Sequence, residues 1–204
     1  MSLSAVKRLL VATTNKKKLS ELQTLLADLP LELCCLSGLP RFEEVPETGK
    51  TFADNASLKA LGYARQSGCL TLAEDSGLCC DALEGAPGVY SARFAGEGKQ
   101  DRENNLKVLK LLENVPDNCR HAHFTSAVAI AEPDRLVGTV EGEVHGYIAH
   151  EMRGTNGFGY DPVFFYPPFG RTFGEVPAGM KHAVSHRAKA LQKAKELLRQ
   201  YLGA

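Results

Sequence analysis

The chain has 204 residues, 44% of them hydrophobic and 24% charged, which suits one globular domain, or a domain with a small lobe, with enough length to bury a core. Lysine plus arginine and aspartate plus glutamate each number 24, so the basic excess of a protein that tracks nucleic-acid backbones is missing and no nucleic-acid partner is expected. No apolar run approaches a membrane span, and Lys7 and Arg8 precede too few apolar residues for a secretory leader, so no membrane partner is expected either.

Leu9 to Ala12 is a short apolar run, and Leu19, Leu22, Leu25, Leu26 and Leu29 follow at helical spacing. The chain therefore opens as strand, loop and helix, with Asn15 as the helix N-cap. Thr51-Phe52-Ala53-Asp54 has the capping-box form, and Ala56, Ala60 and Ala64 carry the helix it opens to a stop at Gly68. A strand from Leu70 to Ala73 comes next. Gly85-Ala86-Pro87-Gly88 is turn chemistry, and Asp101 is placed to cap a third helix through Leu106, Leu109 and Leu112. Phe124 to Ala131 and Val137 to Ile148 then read as an antiparallel pair about Pro133 and Asp134, with Val163 to Phe165 as a further strand. The last helix starts near Ser185 and keeps an apolar stripe through Ala188, Leu191, Ala194, Leu198 and Tyr201. Helices at both ends and β-rich sequence between them predict an α/β fold around a mixed, bent sheet.

Lys16, Lys17 and Lys18 fall in the first turn of the first helix, where the dipole and free N–H groups already present positive charge. Each such charge costs on the order of 0.3–1 kcal/mol. The three lysines are therefore either solvated surface or the seat of an anion, for which phosphate is the usual guest. Gly49-Lys50-Thr51 ends like a phosphate-binding loop, but the pattern needs glycine where this chain has Glu44, and an acidic stretch precedes it instead of an apolar strand. Gly98-Lys99 fails likewise, with Gln100 following it.

Glu74-Asp75-Ser76-Gly77 directly follows an apolar strand, which places two carboxylates and a hydroxyl at a strand's carboxyl end, where α/β sheets carry ligands. The alternative for Asp75 is an ordinary turn cap. Glu43, Glu44 and Glu47 lie on the loop before the second helix. Magnesium needs only one or two protein carboxylates when phosphate oxygens and water complete its octahedron, so a sparse acidic site beside a basic loop points to Mg²⁺. His121 and His123 read as two side chains on one strand face, and His182 and His186 stand at helical spacing; neither pair has an obvious third metal ligand. The six cysteines contain no Cys-x-x-Cys and are expected as reduced thiols in the cytoplasm.

Five stretches stand out together: ATTNKKKLSEL from Ala12, ETGKTFADNASLKA from Glu47, AEDSGLCCDALEGAPGVYSARFAG from Ala73, GFGYDPVFF from Gly157 and KHAVSHRAKAL from Lys181. Their order and spacing closely resemble the inosine triphosphate pyrophosphatase family, from the first strand to the last helix. The resemblance implies that residues 1–204 form one pyrophosphatase domain. Its fold would be a long central mixed sheet flanked by helices, in two lobes with an active cleft between them, assembled as a homodimer. It implies hydrolysis of ITP, dITP and XTP to the monophosphate and pyrophosphate. Thr13, Asn15 and Lys18, with Thr14, Lys16 and Lys17 beside them, would hold the triphosphate. Asp75 would be general base and magnesium ligand, with Ser76 beside the substrate. Phe158, Gly159, Tyr160, Asp161, Lys181, His186 and Arg187 would line the nucleoside site.

Three positions depart from the family pattern. Thr14 stands where glycine is frequent, and Glu74 replaces the commoner aspartate. Pro46 stands where an acidic residue is common, which leaves Glu47 or Glu44 as the second metal ligand. Two rival readings remain, a pyrophosphatase for modified pyrimidine nucleotides and a nucleotide sensor without turnover.

Overall fold

The computed structural model describes residues 6–38, 42–98 and 100–203, and the side chains of Lys16 and Lys17 lie outside that description, as does Lys99. The chain divides into two compact units. One comprises the described part of Met1–Asp75 with Ala127–Glu141 and Ala190–Ala204, the other Ser76–Ser126 and Gly142–Lys189.

In the first unit β1 (Lys7–Val11) pairs in parallel with β2 (Leu31–Cys35) and with the start of β3 (Leu70–Cys80). Between them run α1 (Lys16–Leu25) and α2 (Phe52–Ser67). The core of this unit gathers Leu9, Val11, Leu22, Leu26, Leu70 and Leu72 with Val128, Ile130, Leu191 and Leu198. The apolar stripe read from Leu19 to Leu29 is real, but the helix stops at Leu25; Leu26 and Leu29 stay buried in the turn that follows it. β2 has no counterpart in the sequence reading. It is a short edge strand whose signal, Leu-Glu-Leu-Cys-Cys, is completed only by its ladder to β1.

α2 forms as its sequence dictates. Thr51 Oγ1 accepts the Asp54 N–H and the Asp54 carboxylate accepts the Thr51 N–H, both at 3.0 Å, while Gly68 closes the helix in the left-handed conformation. Gly49 owes its place to the same corner. A Cβ there would meet the Asp54 side chain and lie 2.8 Å from Asn55 Oδ1, which accepts the Gly49 N–H. The glycine serves a close approach of backbone to helix, not a phosphate loop.

The second unit contains the rest of β3, then α3 (Asp101–Leu111), the first half of β4 (His121–Ala131) and the second half of β5 (Leu136–Ile148). β6 (Phe164–Tyr166), β7 (Arg171–Thr172) and α4 (Ala178–Val184) complete it. α5 (His186–Leu202) starts in this unit and ends in the first. The core of the second unit is separate: Leu78, Val108, Leu112, Phe124, Ile148, Phe164 and Phe173 pack together. Arg120, 3% exposed, sends its guanidinium to the carbonyls of Leu112, Ile148 and Ala149 at 2.5, 2.8 and 2.9 Å, which satisfies a buried cation without a carboxylate.

Among the described residues seven strands form one sheet in the order β2-β1-β3-β4-β5-β6-β7, parallel at the β2 end and antiparallel where β5, β6 and β7 pair. This is the mixed α/β sheet expected. The hairpin between β4 and β5 turns at Pro133 and Asp134, as read: Glu132 and Arg135 exchange backbone hydrogen bonds at 2.9 and 3.4 Å across them. β6 begins one residue later than expected, and β7 and α4 were not foreseen, being too short to carry a periodicity.

Three expectations need correcting, and one beside them holds. β3 does not end at Ala73 but runs on to Cys80, so Glu74 to Gly77 sit inside a strand and Asp75 is not a turn cap. Asp101 is the first residue of α3 and makes no cap bond; the N-cap position is held by Gln100. Asn15 holds the position just before α1, with its carbonyl accepting the Leu19 N–H, as expected. His182 and His186 belong to different helices, because Ser185 between them is extended. Among the described residues no helix is long and apolar enough to cross a membrane, and all six cysteines are free thiols.

Candidate functional site

In the first unit, β1 ends at Val11 opposite Leu72, and β3 continues beyond it. Glu74 and Asp75 therefore emerge past the end of the parallel ladder, where the loop Ala12 to Asn15 turns into α1. Thr13 fixes that loop: its hydroxyl accepts the Asn15 N–H at 3.1 Å and its carbonyl the Leu36 N–H at 3.2 Å. No acidic residue stands in the first turn of α1. Lys18, on that turn, reaches Glu74 and forms an ion pair with it. The loop and the acidic strand are thus brought together, as their chemistry required. Thr14 and Asn15 are exposed.

Asp75 is held from two sides by α2. Asn55 and Lys59, one turn apart on α2, both face it: Asn55 Nδ2 donates to Oδ2 at 3.2 Å and Lys59 Nζ to Oδ1 at 3.0 Å. Lys59 also touches Glu47 at 3.1 Å, so one ammonium, 13% exposed, joins two carboxylates. The acidic loop is delivered there by side-chain contacts along α2. The Glu43 backbone exchanges hydrogen bonds with the Gln66 amide at 2.7 and 3.0 Å, and the Val45 N–H reaches the Tyr63 hydroxyl at 3.5 Å. Burial pushes the Asp75 carboxyl above the ordinary carboxylate range; Lys59 opposes that rise, and the Glu47 charge adds to it.

Asn55 and Lys59 were missed in the sequence, although both lie in the second of the motifs. The available signal was a polar pair one turn apart on a helix whose neighbouring positions, Ala56 and Ala60, are buried apolar. Of the two candidate second ligands, Glu47 is the one brought to Asp75. Glu44 is exposed, and no described contact ties it there. Among the described residues no three histidine, cysteine or carboxylate side chains are gathered to hold a metal by themselves.

The second unit holds a cavity of about 160 Å³ lined by Ser76, Asp101, Phe124, Phe158, Gly159, Tyr160, Asp161, Lys181 and His186, among others. Arg187 is half-buried beside them in sequence but is not part of that lining. Asp161 is 1% exposed and organises the wall. Its Oδ2 accepts the Phe158 N–H at 2.9 Å and the Lys181 ammonium at 2.5 Å, while its Oδ1 is buried without a hydrogen-bond partner. Burial raises the Asp161 carboxyl above its usual range and Lys181 opposes the shift. Gly157 is required for this turn: its φ is +78°, and a Cβ would fall on the Asp161 carboxylate.

Phe158 is 71% exposed, with the Lys181 ammonium 4.5 Å from its ring centre. Tyr160 lines the cavity with its ring, but its hydroxyl is engaged by the Ser91 carbonyl at 2.8 Å. His186 stacks on Phe124, ring centres 4.9 Å apart and 14° between planes. The N-cap of α5 is Ser185, whose hydroxyl accepts the Ala188 N–H at 3.1 Å, so His186 and Arg187 are not needed as caps.

Comparison with known proteins agrees with the motif resemblance. A protein of Desulforamulus reducens named dITP/XTP pyrophosphatase is 51% identical over 191 residues, 94% of this chain and 95% of its own. A Staphylococcus aureus Ham1 structure superimposes with a TM-score of 0.88 at 35% identity, covering 96% of this chain and all of that one. A structure from Mycobacterium abscessus, described as nucleoside-triphosphatase and dITP/XTP pyrophosphatase, gives a TM-score of 0.82 at 43% identity over 94% of this chain. The model of the Ham1 family matches residues 9–197, and on these grounds the chain belongs to the Ham1 family.

Proposed function

We propose that this chain hydrolyses non-standard purine nucleoside triphosphates, ITP, dITP and XTP, to the nucleoside monophosphate and pyrophosphate. The observation that carries the reading is the Asp75 carboxylate, held by Asn55 and Lys59 beside Glu47 on the strand next to the basic loop. The names of the relatives support the same activity. Asp75 takes the proton of a water that attacks the α-phosphorus, and pyrophosphate leaves. Lys18, with Lys16, Lys17, Thr13, Thr14 and Asn15, binds the triphosphate. Positioning and charge neutralisation supply most of the rate.

Asp75 and Glu47 are hard oxygen donors that already share one cation, Lys59, and so fit Mg²⁺. When bound, the ion neutralises phosphate charge. The homodimer rests on the resemblance alone. A cytoplasmic location fits the free thiols, and the balanced charge gives no support to a nucleic-acid or membrane partner.

The cavity of the second unit serves as the base site. A 6-oxopurine offers an N1–H donor and an oxygen acceptor, whereas adenine offers a bare N1 and an amino donor. Asp161 Oδ1 is a buried acceptor lacking a partner, and Lys181 and His186 are donors in the same lining, with Arg187 beside them in sequence. That set matches hypoxanthine and xanthine and opposes adenine. Exclusion of GTP falls to its 2-amino group.

Pyrophosphate release from a panel of triphosphates, with and without Mg²⁺, tests the reading. ITP, dITP and XTP are expected to exceed ATP and GTP by about 10³ in kcat/KM, the scale reached by several unpaired polar groups. Removal of the metal should abolish turnover. Preference for a modified pyrimidine nucleotide, or binding without release, would replace this reading with one of its rivals.

Lys18→Ala separates phosphate from base contacts. Because every substrate carries the same triphosphate, kcat/KM is expected to fall by about tenfold or more, equally for ITP and XTP. If ATP became a good substrate of this variant, Lys18 would belong to base recognition instead.

A further inference from the structure

One wall of the cavity, the Phe158-Gly159 segment, is held by side chains of α3. Asp101 Oδ2 accepts the Gly159 N–H at 2.7 Å, and Asn105 Nδ2 donates to the Gly159 carbonyl at 2.7 Å. The same amide donates to the Asp101 carbonyl at 2.6 Å, which ties the two gripping residues to each other. Asn105 is 1% exposed, so its donors serve these carbonyls and not solvent. The preceding N–H, that of Phe158, goes to Asp161. Successive backbone groups of this turn are thus fixed by side chains and not by a strand ladder.

The Phe158 ring, by contrast, is largely exposed. Little packs on it besides the Lys181 ammonium, so its place over the cavity is set by the backbone that carries it. A favourable helix dipole would by itself explain an aspartate at the first position of α3. It would not explain why that carboxylate, and the amide one turn later, converge on the two polar groups of a single distant glycine.

We propose that Asp101 and Asn105 are positioning residues for base recognition: through Gly159 they hold the Phe158 ring where it stacks on the purine. The proposal rests on the reading of this cavity as the base site. Its signature is a loss in substrate binding with the chemical step preserved, since the hydrogen bonds of these two side chains go to the Gly159 turn, whereas the carboxylate assigned to the reaction is held by Asn55 and Lys59.

Steady-state kcat and KM with ITP for Asp101→Ala, Asp101→Asn and Phe158→Ala provide the test. Asp101→Ala is expected to raise KM about tenfold, the worth of one charge-assisted hydrogen bond, and to leave kcat within about twofold. Asp101→Asn should recover most of the KM, because its amide oxygen can accept the same N–H. Phe158→Ala should raise KM at least as much as Asp101→Ala. Asn105→Asp, which turns an acceptor toward the Gly159 carbonyl, should act in the same direction; if it does not fold, the Asp101 pair decides. An unchanged KM in Asp101→Ala alongside a raised KM in Phe158→Ala overturns the proposal and spares the base site. A fall in kcat with unchanged KM, or no rescue by asparagine, also overturns it by making the role a general structural one. An unchanged KM in Phe158→Ala removes the base-site reading itself, and the proposal with it.

Discussion

Asp75→Asn is expected to keep the fold and lower kcat by at least about 10²-fold, the usual cost of losing a positioned base or metal-activating carboxylate. The substitution preserves shape, and the amide oxygen can still accept from Asn55 or Lys59. What it removes is a proton acceptor and a negative charge. Because burial raises the Asp75 carboxyl, the acid limb of the wild-type profile at limiting Mg²⁺ should lie above the ordinary carboxylate range, and saturating Mg²⁺, a cation on the same oxygens, should move it down. In the asparagine variant that limb should vanish from whatever activity remains. Single-turnover rates across pH, with melting curves to show an intact fold, check both points. A variant with near-normal kcat would remove Asp75 from its role.

Lys59→Met should cost kcat on a comparable scale, about 10²-fold at neutral pH, through the two carboxylates it joins. The lysine is the cation that opposes the rise of the Asp75 carboxyl, and Glu47 is the charge that adds to it. Without the lysine both remaining influences, burial and the Glu47 charge, push in one direction. The acid limb of the profile should therefore move to still higher pH than in the wild type. Glu47→Gln in the Lys59→Met background removes one of those influences and should move the limb back down. Added Mg²⁺ supplies an alternative cation to the same oxygens and should restore part of the lost rate at saturating concentration. A pH profile that does not shift would show Lys59 to act elsewhere than on Asp75.

Where a signal is local, the sequence determined the outcome. The capping box of α2, its stop at Gly68, the turn at Pro133 and Asp134 and the start of α5 at Ser185 each depend on atoms a few residues apart, so the local residues decide them. The five motifs identified the family for a related reason, since each is a contiguous run whose chemistry shows in its residue types. The tertiary structure alone decided what depends on distant partners. β3 runs through Glu-Asp-Ser-Gly, poor strand formers, because its neighbours in the sheet override their propensity. Asn55 and Lys59 become partners of Asp75 only when α2 is laid beside the middle of β3, and Glu47 rather than Glu44 meets Lys59 there because the loop is fastened along α2. Asp101 looked like a cap and instead grips a glycine far along the chain. Hydrogen bonds and ion pairs act over a few ångströms in space. A sequence displays that proximity when it coincides with proximity along the chain, and a site assembled from separate segments becomes visible only once the chain has folded.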